Sequence, residues 1–223
     1  MTAETPYLRI AVMAAFRTCL LGAALFVPAG SCRWAAGWAY LAAYAAWSAA
    51  NIILLGRSQP ALLRLRETEA PPAAEAWDKA FITASTALLG ATLLLCGLEG
   101  PASPFGAVSA AAFAVIIAAL ALFTWALLFN PFAAGAALLQ PGQSAADKGP
   151  YRAVRHPVYL ASILISAATP AALGSRSAFL PAVLLALAIA ARTALEDRLL
   201  LRGLPGYRDY AARVPYRLLP GIW

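Results

Sequence analysis

Six apolar runs alternate with polar connections along this 223-residue chain. Four of them cover residues 7–28, 34–56, 80–98 and 105–129. Each has about 20 residues or more, which is the length that an α-helix needs to cross the hydrocarbon core of a bilayer. The last two runs, 158–173 and 178–191, are shorter and only four residues separate them. These two runs therefore predict an antiparallel helical hairpin.

Composition indicates a membrane protein. The chain is 62% hydrophobic and 12% charged, with a mean hydropathy of +0.71, and a soluble domain of this size could not bury so much apolar surface. We expect an all-α, polytopic integral membrane protein with five to six transmembrane helices, a C-terminal helical hairpin and a short interfacial tail helix. Residues 60–66 predict a further interfacial helix. The chain divides into an N-terminal four-helix region, 1–129, and a C-terminal region, 130–223.

Positive charge is distributed unevenly between the two sides of the membrane that six helices imply. The termini and the 57–79 and 130–156 connections share one side. That side carries all 17 Lys and Arg residues except Arg17, Arg33 and Arg176. The positive-inside rule therefore predicts that both termini are cytoplasmic. A net charge of +7 in so apolar a chain favours contact with anionic lipid headgroups over nucleic acid.

The cysteines and the histidine give no metal signal. Cys19, Cys32 and Cys96 are scattered, and the chain has one histidine. Metal sites in proteins use Cys and His at short, recurring spacings. We therefore expect no metal ion.

The histidine belongs to an unusual polar stretch, Gly-Pro-Tyr-Arg-Ala-Val-Arg-His-Pro-Val-Tyr, at 149–159. Its first two residues are typical of a turn, and His156-Pro157 is typical of a helix start. A helix start exposes unpaired backbone N–H groups and a partial positive charge. Together with Arg155, this favours an anionic or carboxylate-bearing ligand. The alternative interpretation is a basic anchor at the membrane edge.

Arg192 and Glu196 directly follow the last apolar run and are four residues apart, so they share one helix face. Ionisable residues at such a depth are functional-site candidates. The alternative is a salt bridge within the helix, worth about 0.3–0.5 kcal/mol if exposed. In the tail, Tyr207 and Tyr210 are three residues apart and predict one short amphipathic turn. Interfacial anchoring is the alternative role for these tyrosines.

Three blocks in the carboxyl-terminal third occur in a fixed order. They are Gly149-Pro-Tyr-Arg-x-x-Arg-His-Pro-x-Tyr159, Arg192-x-x-x-Glu196-Asp-x-x-Leu200 and Gly206-Tyr-x-x-Tyr210-x-x-x-Val214-Pro-Tyr-Arg-x-x-Pro220. In this order and spacing, the region resembles the isoprenylcysteine carboxyl methyltransferase and phospholipid methyltransferase superfamily. Weaker similarities to bacterial members are Asn130-Pro131-Phe132 and Trp77-Asp78-Lys79. The expected location is accordingly a bacterial inner membrane.

The resemblance implies S-adenosylmethionine as the cofactor, bound on the cytoplasmic side between the hairpin and the tail. The implied cofactor-binding residues are Gly149, Tyr151, Arg155, His156, Pro157, Tyr159, Tyr207 and Tyr210. It places Arg192 and Glu196 near the methyl-accepting end, as the catalytic residues. Members usually have a Gly-His pair in the preceding loop, where Gln143 is the nearest counterpart in this chain. Gln143 is therefore also assigned to the cofactor, and an inactive member is the alternative that this change raises.

The methyl acceptor is left open by the residues. Arg192 could hold a carboxylate in a bidentate manner, and Glu196 could accept the proton of an amine. We expect the acceptor to be lipophilic because the site opens beside a bilayer. Two other classes stay open. One is an NADPH-dependent membrane reductase, since sterol reductases have a related helical core. The other is a non-enzymatic accessory protein, in which Arg17 and Asn51 mark a polar pathway.

Overall fold

The computed structural model describes residues 5–67 and 75–223. Its α-helices are α1 (Thr5–Ala29), α2 (Ala35–Ser58), α3 (Pro60–Glu67), α4 (Ala76–Glu99), α5 (Ala107–Leu128), α6 (Pro157–Leu173), α7 (Phe179–Gly203) and α8 (Tyr207–Arg213). Two short 3-10 turns, Gly100–Ala102 and Gly149–Arg152, complete the regular structure of these ranges. The described part of the chain contains no strand, so the predicted all-α class is confirmed.

Five helices are long and apolar enough to cross a membrane: α1, α2, α4, α5 and α7. Helix α6 is apolar but has only 17 residues. The prediction of a polytopic membrane protein with five to six membrane helices is therefore confirmed. Helix α3 corresponds to the short helix predicted at 60–66. Most of the polar connection that follows it lies outside the described residues.

The six longest helices close into a ring. Helix α1 packs against α2 and α4, α2 packs against α5, α5 against α6, α6 against α7, and α7 against α4. Helix α6 also contacts α2 and α4, so the shortest of these helices lies nearest the centre. Exposed Leu, Val, Ile and Phe side chains cover the outside of the ring. Such an outer surface is suited to hydrocarbon rather than water.

Helices α6 and α7 form the predicted antiparallel hairpin, which the carboxylate of Glu99 fastens to α4. Gly174 ends α6 with a left-handed backbone conformation, at φ 76°. The Glu99 side chain accepts hydrogen bonds from the backbone N–H groups of Arg176 and Ser177 and from the Ser175 hydroxyl. The carboxylate therefore satisfies backbone donors at the start of α7.

Helix α7 extends well beyond its apolar run, which ends at residue 191. It continues to Gly203 and has 25 residues, or about 37 Å at 1.5 Å per residue. The added segment is rich in Leu and Arg, which are good helix formers. The predicted catalytic pair, Arg192 and Glu196, thus lies inside one continuous helix near its polar end.

The polar end of the ring is covered by two segments. The first is the loop 130–148, which follows α5 and has no helix of its own. The second is the tail, made of α8 and residues 214–223. A cluster of buried apolar and aromatic side chains, including Tyr151, Leu200, Tyr207 and Tyr210, joins the tail to α5 and α7.

The contact between α1 and α4 yields a stability prediction. A Cβ atom at Gly97 would press against the backbone carbonyl of Leu25, whereas Gly90 on the same helix faces open space. We expect Gly97→Ala to destabilise the protein by about 1–3 kcal/mol, because the two helix backbones must move apart. Gly90→Ala is the matched control and should be neutral or slightly stabilising. Thermal unfolding in a mild detergent, followed by tryptophan fluorescence, measures both, and equal melting temperatures would contradict the prediction.

Candidate functional site

A cavity of about 220 Å³ lies at the polar end of the ring, enclosed by α6, α7, the 130–148 loop and the tail. It is lined by nine of the eleven residues assigned to the site from the sequence. These are Gln143, Tyr151, Arg155, His156, Tyr159, Arg192, Glu196, Tyr207 and Tyr210. The three blocks of the sequence therefore meet around one space.

Gly149 and Pro157, the other two predicted residues, do not line the cavity. Gly149 has a left-handed φ of 57°, and a Cβ atom there would lie 2.6 Å from the ring of Phe129. It permits a tight turn packed against an aromatic ring. Pro157 is fully buried and begins α6 as its first helical residue, as predicted. Both residues shape the backbone that carries Tyr151 and His156.

The central electrostatic feature beside the cavity is the side chain of Asp197, which is 0% exposed. Its Oδ1 atom accepts hydrogen bonds from Arg155 Nε at 2.9 Å and Tyr207 Oη at 2.9 Å, and lies 3.1 Å from His156 Nε2. Its Oδ2 atom accepts from Arg155 Nη2 at 3.0 Å and from Arg217 Nε at 2.9 Å. We call these five residues the Asp197 network. The network joins three parts of the chain through one buried carboxylate: the segment just before α6, helix α7 and the tail.

Arg155 and His156 contact the tail as well as the cavity. The Nη1 atom of Arg155 donates to the carbonyls of Val214 and Pro215 and, at 3.5 Å, to that of Ala211, while Nε and Nη2 donate to Asp197. The backbone N–H groups of Arg155 and His156 donate to the tail carbonyls of residues 216 and 217. Both residues therefore position the tail, and their side chains also line the cavity.

Arg192 pairs with Asp78 of α4 rather than with Glu196. Its Nη2 atom lies 2.9 Å from Asp78 Oδ1 and donates a hydrogen bond to the Gly135 carbonyl at 3.0 Å. The N–H direction favours the carbonyl, so the contact with Oδ1 is an ion pair without good hydrogen-bond alignment. The guanidinium also lies over the Phe81 ring, at 4.6 Å from its centroid. The alternative of an Arg192–Glu196 salt bridge within the helix is therefore wrong.

Asp78 is as deeply buried as Asp197, at 0% exposed. Its Oδ2 atom accepts a hydrogen bond of 2.7 Å from the backbone N–H of Ala137 in the 130–148 loop. Arg66 of α3 donates to the Ala133 carbonyl of the same loop. Side chains from α3, α4 and α7 therefore hold this loop over the cavity.

Glu196 accepts a hydrogen bond from the hydroxyl of Tyr159. It forms no ion pair with any residue in 5–67 or 75–223. Tyr159 stacks against the His156 ring at 5.8 Å and also lies beneath the guanidinium of Arg192, at 5.4 Å. An acidic group, a basic group and an aromatic face are thus arranged side by side on α6 and α7.

The loop residue Gln143 lines the cavity, as predicted. Its Oε1 atom accepts a hydrogen bond from the backbone N–H of Gln140 at 2.9 Å, which closes a tight turn. Asn130, at the start of the loop, donates to the Tyr151 hydroxyl at 3.2 Å. The loop thus supplies neutral polar groups to the cavity wall.

No protein-family model matches the chain, and a search of curated proteins finds no match. The assignment of the site therefore depends on the residues and their geometry. Within the described ranges, no group of three or more His, Cys, Asp or Glu side chains is arranged to hold a metal ion.

Three residues that form ion pairs at or beside the cavity were not predicted from the sequence: Asp78, Asp197 and Arg217. Each lies inside or beside a quoted block, Asp197 next to Glu196 and Arg217 in the tail block. The signal in the sequence was the position of Asp78 and Asp197 near the ends of apolar runs. A carboxylate that is buried there requires a partner. The sequence does not reveal which basic residues those partners are.

Arg17 and Asn51 lie in different environments. Arg17 is on the exposed surface of α1, whereas Asn51 is buried between α2 and α5. There its side-chain amide donates to Thr124 Oγ1 at 3.1 Å and to the Trp47 carbonyl at 3.0 Å. Asn51 therefore joins two helices, and the two residues do not line a common pathway.

We predict that the tail depends on the Asp197 carboxylate for its stability. Asp197→Asn should destabilise the protein by about 3–5 kcal/mol, because the buried Arg155 then lacks its counter-charge. Thermal unfolding and the rate of proteolysis after residue 203 measure the loss. Asp209→Asn removes an exposed carboxylate from α8 and is the control. Tail proteolysis as slow as in the wild type would show that the network does not hold the tail.

The buried tail tyrosines predict a loss of stability in alkali. Burial raises the pKa of both Tyr207 and Tyr210 well above the usual value of 10, and the nearby Asp197 carboxylate raises that of Tyr207 further. Above about pH 10 the unfolded chain releases these protons while the folded chain keeps them, so stability falls as pH rises. Melting temperatures between pH 8 and 11 measure the slope. Tyr207→Phe should make the slope shallower, whereas Tyr7→Phe, at an exposed phenol, should leave it unchanged.

Proposed function

We propose that this protein is an integral membrane methyltransferase that uses S-adenosylmethionine and transfers a methyl group to a lipophilic acceptor. The observation that carries the proposal is the meeting of three sequence blocks, separated by up to 46 residues, around one cavity. These are the blocks on which the resemblance to membrane methyltransferases depends. Side chains that only anchored the membrane edge would have no reason to converge.

The cavity has the chemical groups that this cofactor needs. S-adenosylmethionine carries an amino-acid carboxylate, an ammonium group, an adenine ring and a positively charged sulfur. Tyrosine faces can bind the ring and the cationic sulfur, Glu196 can attract positive charge, and Gln143 can donate to an oxygen. Arg66 also lines the cavity, where its guanidinium donates to the Ala133 carbonyl and lies over the Phe123 ring.

The cavity is small for a ligand-binding site. About 220 Å³ is smaller than the roughly 300–1,000 Å³ of typical small-molecule sites. One wall is the 130–148 loop, which is held mainly by the side chains of Arg66, Asp78 and Arg192. We infer that this loop moves outward when a ligand binds, since the other walls are packed helices.

When bound, S-adenosylmethionine supplies a methyl group that is already activated by the positive charge on sulfur. The protein therefore has to align the acceptor and exclude water. Arg192 and Glu196 lie next to Tyr159, and all three line the cavity. Glu196 can accept a proton from an acceptor nitrogen, while the Tyr159 hydroxyl holds the carboxylate in place. The tail and the loop cover the site and limit the entry of water.

The surroundings of the cavity support a lipophilic acceptor. Helix α7 carries exposed apolar side chains, including Leu184, Leu187 and Leu195, up to the level of the site. An acceptor with an acyl or prenyl chain could lie along this surface with its polar head in the cavity. The positive-inside rule supports a cytoplasmic position for this end of the ring, because most Lys and Arg residues flank it.

Binding and transfer test the proposal separately. We expect S-adenosylmethionine to bind the purified protein in detergent, by calorimetry, and labelled methyl groups to appear in a lipid extract. Glu196→Gln should reduce transfer by about 10²–10⁴-fold, the usual contribution of a proton acceptor, while the cofactor still binds. Asp147→Asn, an exposed carboxylate outside the cavity, is the control and should keep full activity.

A parallel titration with NADPH distinguishes the reductase alternative. Stabilisation by NADPH together with no response to S-adenosylmethionine would refute the proposal and favour a reductase. Binding of neither compound would favour the accessory protein or the inactive member. Prenylcysteine analogues, tested beside the lipid extract, report whether a carboxylate is methylated.

A further inference from the structure

The acidic and basic side chains around the cavity differ in whether a group of opposite charge is paired with them. Arg192 is 8% exposed and lies against Asp78, which has no exposed surface. Their oxygen and nitrogen atoms are 2.9 Å apart. A buried guanidinium with a carboxylate at this distance is close to neutral as a unit, and it attracts a second anion only weakly.

Arg155, the other guanidinium on the α6 side of the cavity, directs its hydrogen-bond donors to the Asp197 carboxylate and to carbonyls of the tail. Arg155 and His156 both contact the carboxylate of Asp197. Arg66 lies on the opposite side, where it holds the 130–148 loop through the Ala133 carbonyl. No described cation close to Arg192 is therefore left to receive a carboxylate from an acceptor.

Glu196 is in the opposite position. Its carboxylate is half-buried, accepts a hydrogen bond from Tyr159, and has no ion pair within the described ranges. A hydroxyl donor offsets part of the cost of burying a carboxylate but does not cancel its charge. A cation placed beside Glu196 would cancel it. The face of Tyr151, which is in the cavity wall, can also receive a cation.

We propose that Asp78 sets the acceptor preference of this site: by compensating Arg192 it leaves Glu196 as the uncompensated charge, so the site takes the head of a lipophilic amine rather than a carboxylate. The inference rests on the proposed function in placing the acceptor at Arg192 and Glu196. It assigns a role to Asp78, which is 114 residues before Arg192 in the chain. Asp78 contacts Arg192 and the loop, so it is a positioning residue that also determines specificity.

The Nε atom of Arg192 favours a ligand that carries an oxygen atom. This nitrogen is buried and has no hydrogen-bond partner among the residues of the described ranges. That donor suits an oxygen atom. An ester or hydroxyl oxygen next to the amine would satisfy it without adding negative charge. A carboxylate would also satisfy it, but would add a second anion beside Asp78 and Glu196.

The experiment compares three probes of equal chain length: hexylamine, hexanoate and hexanol. Their dissociation constants are measured by calorimetry at pH 7 in a neutral maltoside detergent, with protein-free micelles as the blank and without any methyl donor. Hexanol gives the contribution of the apolar chain alone. We expect the wild type to bind hexylamine about tenfold or more tightly than hexanoate, which corresponds to about 1.4 kcal/mol.

Two variants separate the parts of the proposal. In Asp78→Asn the charge of Arg192 is uncompensated, so hexanoate should bind about tenfold more tightly than to the wild type and the amine preference should shrink. In Glu196→Gln the affinity for hexylamine should fall to that for hexanol. Asp147→Asn is the control for loss of one acidic charge, because its carboxylate is exposed and pairs with Arg213 outside the cavity. It should keep the wild-type preference.

The outcomes that overturn the proposal are distinct. Wild-type protein that binds hexanoate as tightly as hexylamine refutes the amine preference. An Asp78→Asn variant with the same preference as Asp147→Asn refutes the role of Asp78. If Asp78→Asn does not fold, Arg192→Gln tests the same pairing, since it leaves Asp78 uncompensated and should widen the preference for the amine; an unchanged preference would refute it. Because no methyl donor is present, these results are independent of whether S-adenosylmethionine binds.

Discussion

A carboxylate without solvent contact determines how the polar end of this protein is built. Asp197 lies inside the molecule on α7, and an unpaired charge there would be strongly destabilising. Its two oxygen atoms accept from the guanidinium groups of Arg155 and Arg217 and from the Tyr207 hydroxyl, and they face the His156 ring. These groups come from the segment just before α6, from α8 and from the final residues. The path of the tail is therefore fixed by the need to surround one anion.

The second buried carboxylate, Asp78, gives the site its asymmetry. It connects α4 to Arg192 of α7 and to the backbone of the 130–148 loop. Through it the N-terminal half of the chain contacts the candidate site, although all the quoted motifs except the two weak ones lie in the C-terminal third. Asp78 pairs with Arg192, whereas Glu196 has no ion pair among the described residues. The electrostatic character of the cavity therefore depends on Asp78, which lies far in sequence from the other residues of the site.

The short α6 explains why the cavity lies where it does. At 17 residues it is shorter than its neighbours, and it begins at Pro157, below the end of α7. The space above its first turn is filled by the tail and the loop rather than by further turns of α6. Irregular backbone at this depth is tolerated where it is covered by protein or lines a polar cavity. The polar residues of the site are thus held beside a bilayer without facing its hydrocarbon.

Much of the architecture was determined by the sequence alone, and the identity of the buried partners was not. Apolar length predicted the spanning helices, and the four residues between the last two runs predicted the hairpin, because both follow from distances along the chain. The blocks predicted nine of the residues that line the cavity. The alternative pairing of Arg192 with Glu196, which the four-residue rule on a helix offers, does not form, because the packing of α4 against α7 brings Asp78 closer. Arg155 lines the cavity and also holds the tail, a contact that the sequence did not predict. A buried guanidinium contacts whichever oxygen atoms the packed helices place within 3 Å, and only the tertiary structure decides which they are.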